Sequence, residues 1–517
     1  MKKTNSLLLL SLMIVSMTSC SDDFLKENPT TFVDPTALLV NKQGAETYLL
    51  GAYDAVQGTI STGQPNFGND AANSGWASHW GTMGTDEVVV PGYAGDRKLI
   101  YLQQLTPTTG VVQTMWENLY VALNRVNSVV DRVSAMTDAQ ITPADKAYIV
   151  AQARFLRSTI NFALVCTWEN VPLIKNETTS LSNLEVPQAK PEEVYAFIIE
   201  DLKAAEAVLP IEQGKGRVTK GAAQALLGKV YLQMTGFPLN QTDKFALASA
   251  KLKEVMDSGV YNLLPNYRDV FTLVNEQSVE MVYAIGMDGP GKNEGGMLGT
   301  FYGPNGSTSN GGGFNTCFIN HFFADSYDVN DIRLRNNIAK HSANDWTPEE
   351  GFSNPASWTV AKNNWKPWKW HASKPNSYAN DTPFDNPYIR YADVLLMYAE
   401  ALNGQNLLTQ TVIDNTVNKL RARARTTPTA VPDMVLGTKE SNATELLSER
   451  RKELCFEGWR RNDLIRFGKY KEAISGITQL GSNAGDPGLN YKDFKIRWPI
   501  PNSERKINPK LDQNKDY

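Results

Sequence analysis

Histidine and cysteine are scarce in this chain, four of each among 517 residues, and that scarcity excludes much chemistry. His79, His321, His341 and His371 stand apart from one another, and no C-x-x-C pair occurs, so neither residue type spells a zinc site. No H-E-x-x-H, G-x-S-x-G or phosphate-loop pattern is present, and the glycines between 289 and 313 do not open a helix after a strand. Charge of one sign is lacking as well. With 51 basic against 55 acidic residues and a formal charge of −4, there is no cationic stripe for phosphates, which excludes nucleic acid as a partner. Beyond the first twenty residues, no run approaches the roughly 18 apolar residues that a membrane span requires.

The N-terminus does carry a clear address. Lys2 and Lys3 precede an apolar run from Leu7 to Val15 and then Met17-Thr18-Ser19-Cys20. The run is too short to span a bilayer, and small residues before a cysteine resemble the site cut by lipoprotein signal peptidase. Residues 1–19 therefore read as a lipoprotein signal peptide, Cys20 as the lipid-attachment residue, and 20–40 as the tether. The remaining cysteines, Cys166, Cys317 and Cys455, are odd in number, and Cys166 and Cys455 sit in apolar helical patterns where a thiol behaves as a small core group. A hydrophobic content of 42% and an aromatic content of 10% are enough for a large buried core.

One stretch, Glu449 to Gly468, reads ERRKELCFEGWRRNDLIRFG. Asn442 offers an N-cap ahead of it, Gly458 and Gly468 offer stops, and two short helices meeting at Gly458 follow. Leu447, Leu454, Phe456, Trp459, Leu464, Ile465 and Phe467 give the pair a face to bury. Glu449, Glu453 and Glu457 recur every four residues, where like charges repel by roughly 0.2–0.5 kcal/mol per pair. Arg450, Arg451, Arg460, Arg461 and Arg466 are the neighbours able to neutralise them in a structural ion network. Arginines at this density hold the acids ionised, which argues against a general acid here.

Helical spacing recurs along the chain: Lys42 to Gln57, Trp116 to Val133, a helix opening at Pro143 and running through Ala151 to Ile174, Pro191 to Leu209, Thr219 to Thr235, Asp243 to Ser258, and one opening at Pro387. Leu227-Gly228-x-x-Tyr231 fits part of the tetratricopeptide pattern, in which glycine admits the paired helix. Arg390, Asp393 and Glu400 read as further members of the ion network. From Gly286 to Gly313 and from Lys340 to Asp385 the chain reads as loop, rich in Gly, Asn, Ser and Pro, and long loops of this kind are commonly functional. The second holds Trp346, Trp358, Trp365, Trp368 and Trp370. The alternation of the last three suggests strand packing, whereas Trp346 and Trp358 suit either a core cap or a ring stacked on sugar.

The segment Glu449 to Gly468 resembles the C-terminal signature of the SusD/RagB family of surface glycan-binding lipoproteins. Other blocks agree in order: Ser21-Asp22-Asp23-Phe24-Leu25 after the cysteine, Asp86-Glu87, the Ala-x-x-Arg-Phe-Leu-Arg run ending in Val-Pro-Leu, and the close FKIRWPIPNSERKINPKLDQNKDY. The sequence departs from the family at Glu169-Asn170, where glycine and aspartate are usual, and at Lys515-Asp516, where Pro-Gly is common. The resemblance implies a mostly α fold, with irregular tetratricopeptide-type helix pairs forming a right-handed superhelical scaffold and a loop-rich ligand-binding region. It places the scaffold at about 41–260 and 386–470, the ligand-binding insert at about 261–385, and a closing segment at 471–517, within one domain spanning 41–517.

By the same resemblance the protein is not an enzyme. It captures glycan at the cell surface, anchored to the outer membrane, and delivers it to a SusC-like TonB-dependent transporter. An oligopeptide-binding cap of a RagA-like transporter shares the scaffold, and a surface glycoside hydrolase is the third class. No cofactor beyond the lipid on Cys20 is implied; calcium is compatible with the family, with no residue to hold it assigned. The glycan-binding candidates are Trp80, Tyr93, Asp96, Arg97, Phe301, Tyr302, Asn305, Trp346 and Trp358.

Overall fold

In the computed structural model of the chain, the described residues are 35–61, 75–92, 94–180, 182, 184–212, 216–288, 295–303, 316–339, 365–371, 382–477 and 485–517. Residues 1–19, read above as a signal peptide, and Cys20 lie outside them.

Helices carry the fold: α1 (Lys42–Ile60), α2 (Gly110–Ala135), α3 (Pro143–Trp168), α4 (Pro191–Val208), α5 (Lys220–Met234), α6 (Lys244–Asp257), α7 (Tyr391–Gly404), α8 (Val417–Ala424), α9 (Lys439–Leu454) and α10 (Arg460–Arg466). Polar caps set several starts. Side-chain oxygens of Asn41, Thr142 and Thr219 each accept a backbone N–H of the first turn of α1, α3 and α5, and Pro143 sits where its missing N–H costs nothing. Successive helices pack on one another: α1 on α2 and α3, α3 on α4, α4 on α5, α5 on α6, α6 on α7, and α7 on α9. At Gly228 a Cβ would come within 2.6 Å of Leu252 Cγ, so glycine here does admit the paired helix.

Strands are few, short and paired in antiparallel twos: β1 (Val88–Val89) with β5 (Phe318–Ile319), β2 (Val171–Pro172) with β3 (Gln188–Ala189), β4 (Met281–Ile285) with β8 (Asn386–Arg390), and β6 (Ile338–Ala339) with β7 (Lys366–Pro367). The helix expected to open at Pro387 therefore begins at Tyr391. Residues 386–390 spend their backbone hydrogen bonds on β4 instead, with both strands buried throughout. Within the stretch read as loop, Leu298–Tyr302 forms a short helix.

The Glu449–Gly468 segment is buried as expected, with two corrections. The cap of α9 is Thr438, whose Oγ1 accepts the Ser441 N–H, while Asn442 lies inside the helix and accepts the Gly437 N–H. The glutamate stripe is neutralised mainly by distant cations. Glu449 pairs with Arg333 at 2.5 Å and Arg421 at 2.9 Å. Glu453 pairs with Arg423 at 2.6 Å and with Arg333 and Arg390 at 3.3 Å. Glu457 pairs with Lys369 at 2.5 Å and Arg390 at 2.7 Å. The arginines beside the stripe face other ways, because adjacent helix positions point about 100° apart. Arg450 reaches Asp393 and Asp463, Arg466 reaches Glu400 and Asp463, and Arg451 and Arg460 both reach Asp86. Arg461 instead lies against the rings of Trp80 and Tyr470. Arg390, Asp393 and Glu400 are network members, as their pattern suggests.

Glu169 ends α3 with φ of +70°, a conformation that favours glycine, and its carboxylate lies 3.3 Å from Arg497 Nε.

Candidate functional site

The site region starts at Asp86-Glu87. Asp86 is clamped by Arg460 at 2.6 Å and Arg451 at 2.8 Å; burial alone would raise its pKa, but the two guanidiniums hold it well below the carboxylate range. Glu87 faces the interior and accepts the Phe456 N–H at 3.1 Å; burial pushes its pKa up to about 8, so at neutral pH it is mostly uncharged. These anchors fix where β1 leaves the core. β1 pairs with β5 so that Val89 stands opposite Phe318, Ile319 N–H donates to Trp365 O, and β7 pairs with β6. The two pairs, β1–β5 and β6–β7, thus lie next to each other, linked by this hydrogen bond from Ile319 to the residue just ahead of β7.

Beyond β1, residues Asp96–Tyr101 form a short helix where the sequence suggested loop. Asp96 Oδ2 accepts the Val111 N–H at 2.9 Å at the start of α2, where a carboxylate also complements the helix dipole. Arg97 is half-buried, with its guanidinium 5.8 Å from the centre of the Phe301 ring. His79 packs edge-on against the same ring at 6.5 Å, and burial, aided by the Arg97 charge, holds its pKa down to about 3.

The structure brings Arg97 and Phe301 into contact, and Tyr302 beside them, but withdraws three expected rings from solvent. Trp80 is fully buried: its Nε1–H donates to Asn462 Oδ1 at 2.6 Å and its ring meets Trp498 edge-on. Phe301 is buried between His79 and Tyr302, and Tyr302 is buried with its hydroxyl 3.3 Å from Ser78 Oγ. Buried in this way, the three rings cannot stack on a ligand in this arrangement. Trp365, Trp368 and Trp370 are likewise buried in the core, but they flank or follow the two-residue strand Lys366–Pro367 and do not alternate along a strand as their spacing suggested. Tyr93, Asn305, Trp346 and Trp358 lie outside the described residues.

The rings that do reach the surface here are ones the sequence reading passed over. Phe318 and His321 are half-buried, and Phe322 is 47% exposed with its ring 3.8 Å from that of His321. Asn320 caps the short helix His321–Asp325, and the 100° step from Phe322 to Phe323 sends one ring out and the other into the core. That cap followed by a Phe-Phe doublet was the available signal. Lys366, on β7, places its ammonium 2.9 Å from the centre of the Phe318 ring. Among the described residues, no group of three or more His, Cys, Asp or Glu side chains is placed to hold a metal ion, and no helix is long and apolar enough to cross a membrane.

Two family models match the chain, one described as the SusD family over residues 279–517 and one as starch-binding associating with outer membrane over residues 23–232. A solved SusD homolog from Bacteroides thetaiotaomicron superposes with a TM-score of 0.80 at 26% identity, covering 94% of this chain and 99% of its own. The starch-binding protein SusD of the same species is 24% identical over 80% of each chain. SusD-like protein P25 of Formosa agariphila is 24% identical over 98% of each.

Proposed function

This chain belongs to the SusD/RagB family, and on that premise we propose that it is a surface lipoprotein without catalytic activity, which captures glycan and delivers it to a SusC-like TonB-dependent transporter. The family is one of glycan-binding proteins associated with the outer membrane, and a relative along most of the chain is named for starch binding. In this reading Cys20 carries the lipid, the helical scaffold is the frame, and residues 261–385 with the segment 90–101 form the ligand face.

The observation that carries the reading is the set of partly exposed rings at the β1–β5 edge, Phe318, His321 and Phe322, beside the half-buried Arg97. Aromatic faces stack on the apolar C–H planes of sugars, and a guanidinium selects among hydroxyls. Each contact is modest, so affinity grows by multivalency along a polymer. Hydrolysis would need two carboxyl groups facing one bond. Asp86 is ionised and clamped, and the neutral Glu87 is turned into the core, so neither serves.

Calorimetric titration of the full-length chain in detergent against polysaccharides and oligopeptides tests this, with product analysis after prolonged incubation. Binding to a polysaccharide without new reducing ends is the expected result. Binding to oligopeptide alone, or release of sugar products, overturns it.

A further inference from the structure

The described residues include three buried lysines. Lys229 meets Asp393 at 2.6 Å and Lys369 meets Glu457 at 2.5 Å. Lys366 is 2% exposed, and among the described residues its Nζ makes no hydrogen bond and no ion pair, while the Phe318 ring lies beside it. A buried ammonium left without an acceptor is costly, and a native chain that retains one calls for an explanation. Phe318 is half-buried and its centre is 2.9 Å away, so the amine sits within a few ångströms of surface that a ligand can reach.

The neighbouring charges do not make up the deficit. Cys317, next to Phe318, is fully buried, and burial pushes its thiol pKa up to about 12 although both Lys366 and Arg97 pull it down. The two cations therefore act on the same point. Glu87 also faces Cys317, but burial holds it neutral. Lys366, buried behind Phe318, and the half-buried Arg97 thus both act on a buried thiol that stays uncharged, with Lys366 the one left without an acceptor.

We propose that Lys366 and Arg97 select a glycan bearing anionic groups, a uronic acid carboxylate or a sulfate ester, with the anion docking against Lys366 at the edge of Phe318. The inference rests on the glycan-binding reading and narrows it. A charge-assisted contact to a desolvated ammonium is stronger than a neutral one, and the ligand supplies the acceptor that the protein withholds. Burial lowers the Lys366 pKa to about 7, and an anion favours its charged form, so affinity falls as pH rises through 7. Ionisation of Glu87 near pH 8 acts in the same direction, while Cys317 stays protonated and Arg97 charged throughout.

The test is titration of the full-length chain with a polyuronate, a sulfated polysaccharide and a neutral polysaccharide of matched length, at pH 6 and pH 8. An acidic polymer is expected to bind at least about tenfold more tightly than the neutral one at pH 6, and to lose most of that preference at pH 8. The polyuronate and sulfate arms identify which anion is taken. Lys366→Met removes the preference and its pH dependence while melting no lower than the native chain, since an unpaired charge gives way to an apolar chain. Arg97→Gln, at a half-buried position, weakens the preference without depending on how the β7 site repacks. Equal binding of neutral and acidic polymers, or an unchanged preference in Lys366→Met, overturns the inference and leaves the glycan reading standing. Binding of oligopeptide with no polysaccharide bound overturns both.

Discussion

Glu453 is fully buried and shared among Arg333, Arg390 and Arg423. Burial alone would raise its pKa, but the guanidiniums, Arg423 foremost, hold it at about 2 against an ordinary 4.5. A depressed carboxyl stabilises the fold above its unfolded pKa and loses that contribution as pH falls through the folded one. Glu453→Gln, which strips charge from three buried partners, is expected to cost about 3–5 kcal/mol at pH 7 in urea unfolding. The difference from the native chain should narrow between pH 4.5 and 2. Glu87 runs the other way. Its folded pKa of about 8 lies above the ordinary 4.5, so native stability is expected to drop by about 1.4 kcal/mol per pH unit across that window through this group alone. Glu87→Gln, whose amide oxygen can still accept the Phe456 N–H, should match the native chain at pH 4 and exceed it at pH 7.5 in the same measurement. The glutamate stripe was legible because a four-residue recurrence is local. Its partners were not, since Arg333 and Arg390 reach Glu453 from more than sixty positions away.

At the scale of elements, helices were legible because their apolar spacing persists for several turns, and Pro143 marked a start on the expected residue. Two-residue strands leave no period to read, and the five-residue β8 abuts α7 so closely that the pattern looked like one helix. Glycines make the sharpest tests here. Gly458, between α9 and α10, has φ of +85°, and a Cβ there would lie 2.6 Å from Ala77 Cβ and 2.8 Å from Ala77 Cα. Backbone cannot yield as a side chain can, so Gly458→Ala is expected to cost about 2–5 kcal/mol by calorimetric melting. Gly228→Ala meets only the Leu252 side chain and should cost less, about 1–3 kcal/mol. A smaller loss at Gly458 than at Gly228 would contradict the geometry of the α9–α10 junction.

At the scale of the whole molecule, the family and its helix-rich fold were legible from ordered motifs spread along the chain, while the rings proposed here to form the binding face were not. Trp80 and Tyr302 lie in polar-looking stretches, yet they give their rings to the core. Phe322 sits in an apolar-looking stretch and faces out. Local composition does not say which side of a loop a later segment will cover. The central claim, that glycan is held at the β1–β5 edge, is tested most directly by hydrogen exchange of the full-length chain with and without a polysaccharide it binds. Protection on binding at residues 88–101 and 316–323, abolished by Phe322→Ala together with Phe318→Ala, is the predicted result. Protection confined to the helices α4 to α6, with residues 88–101 and 316–323 unchanged, would contradict it.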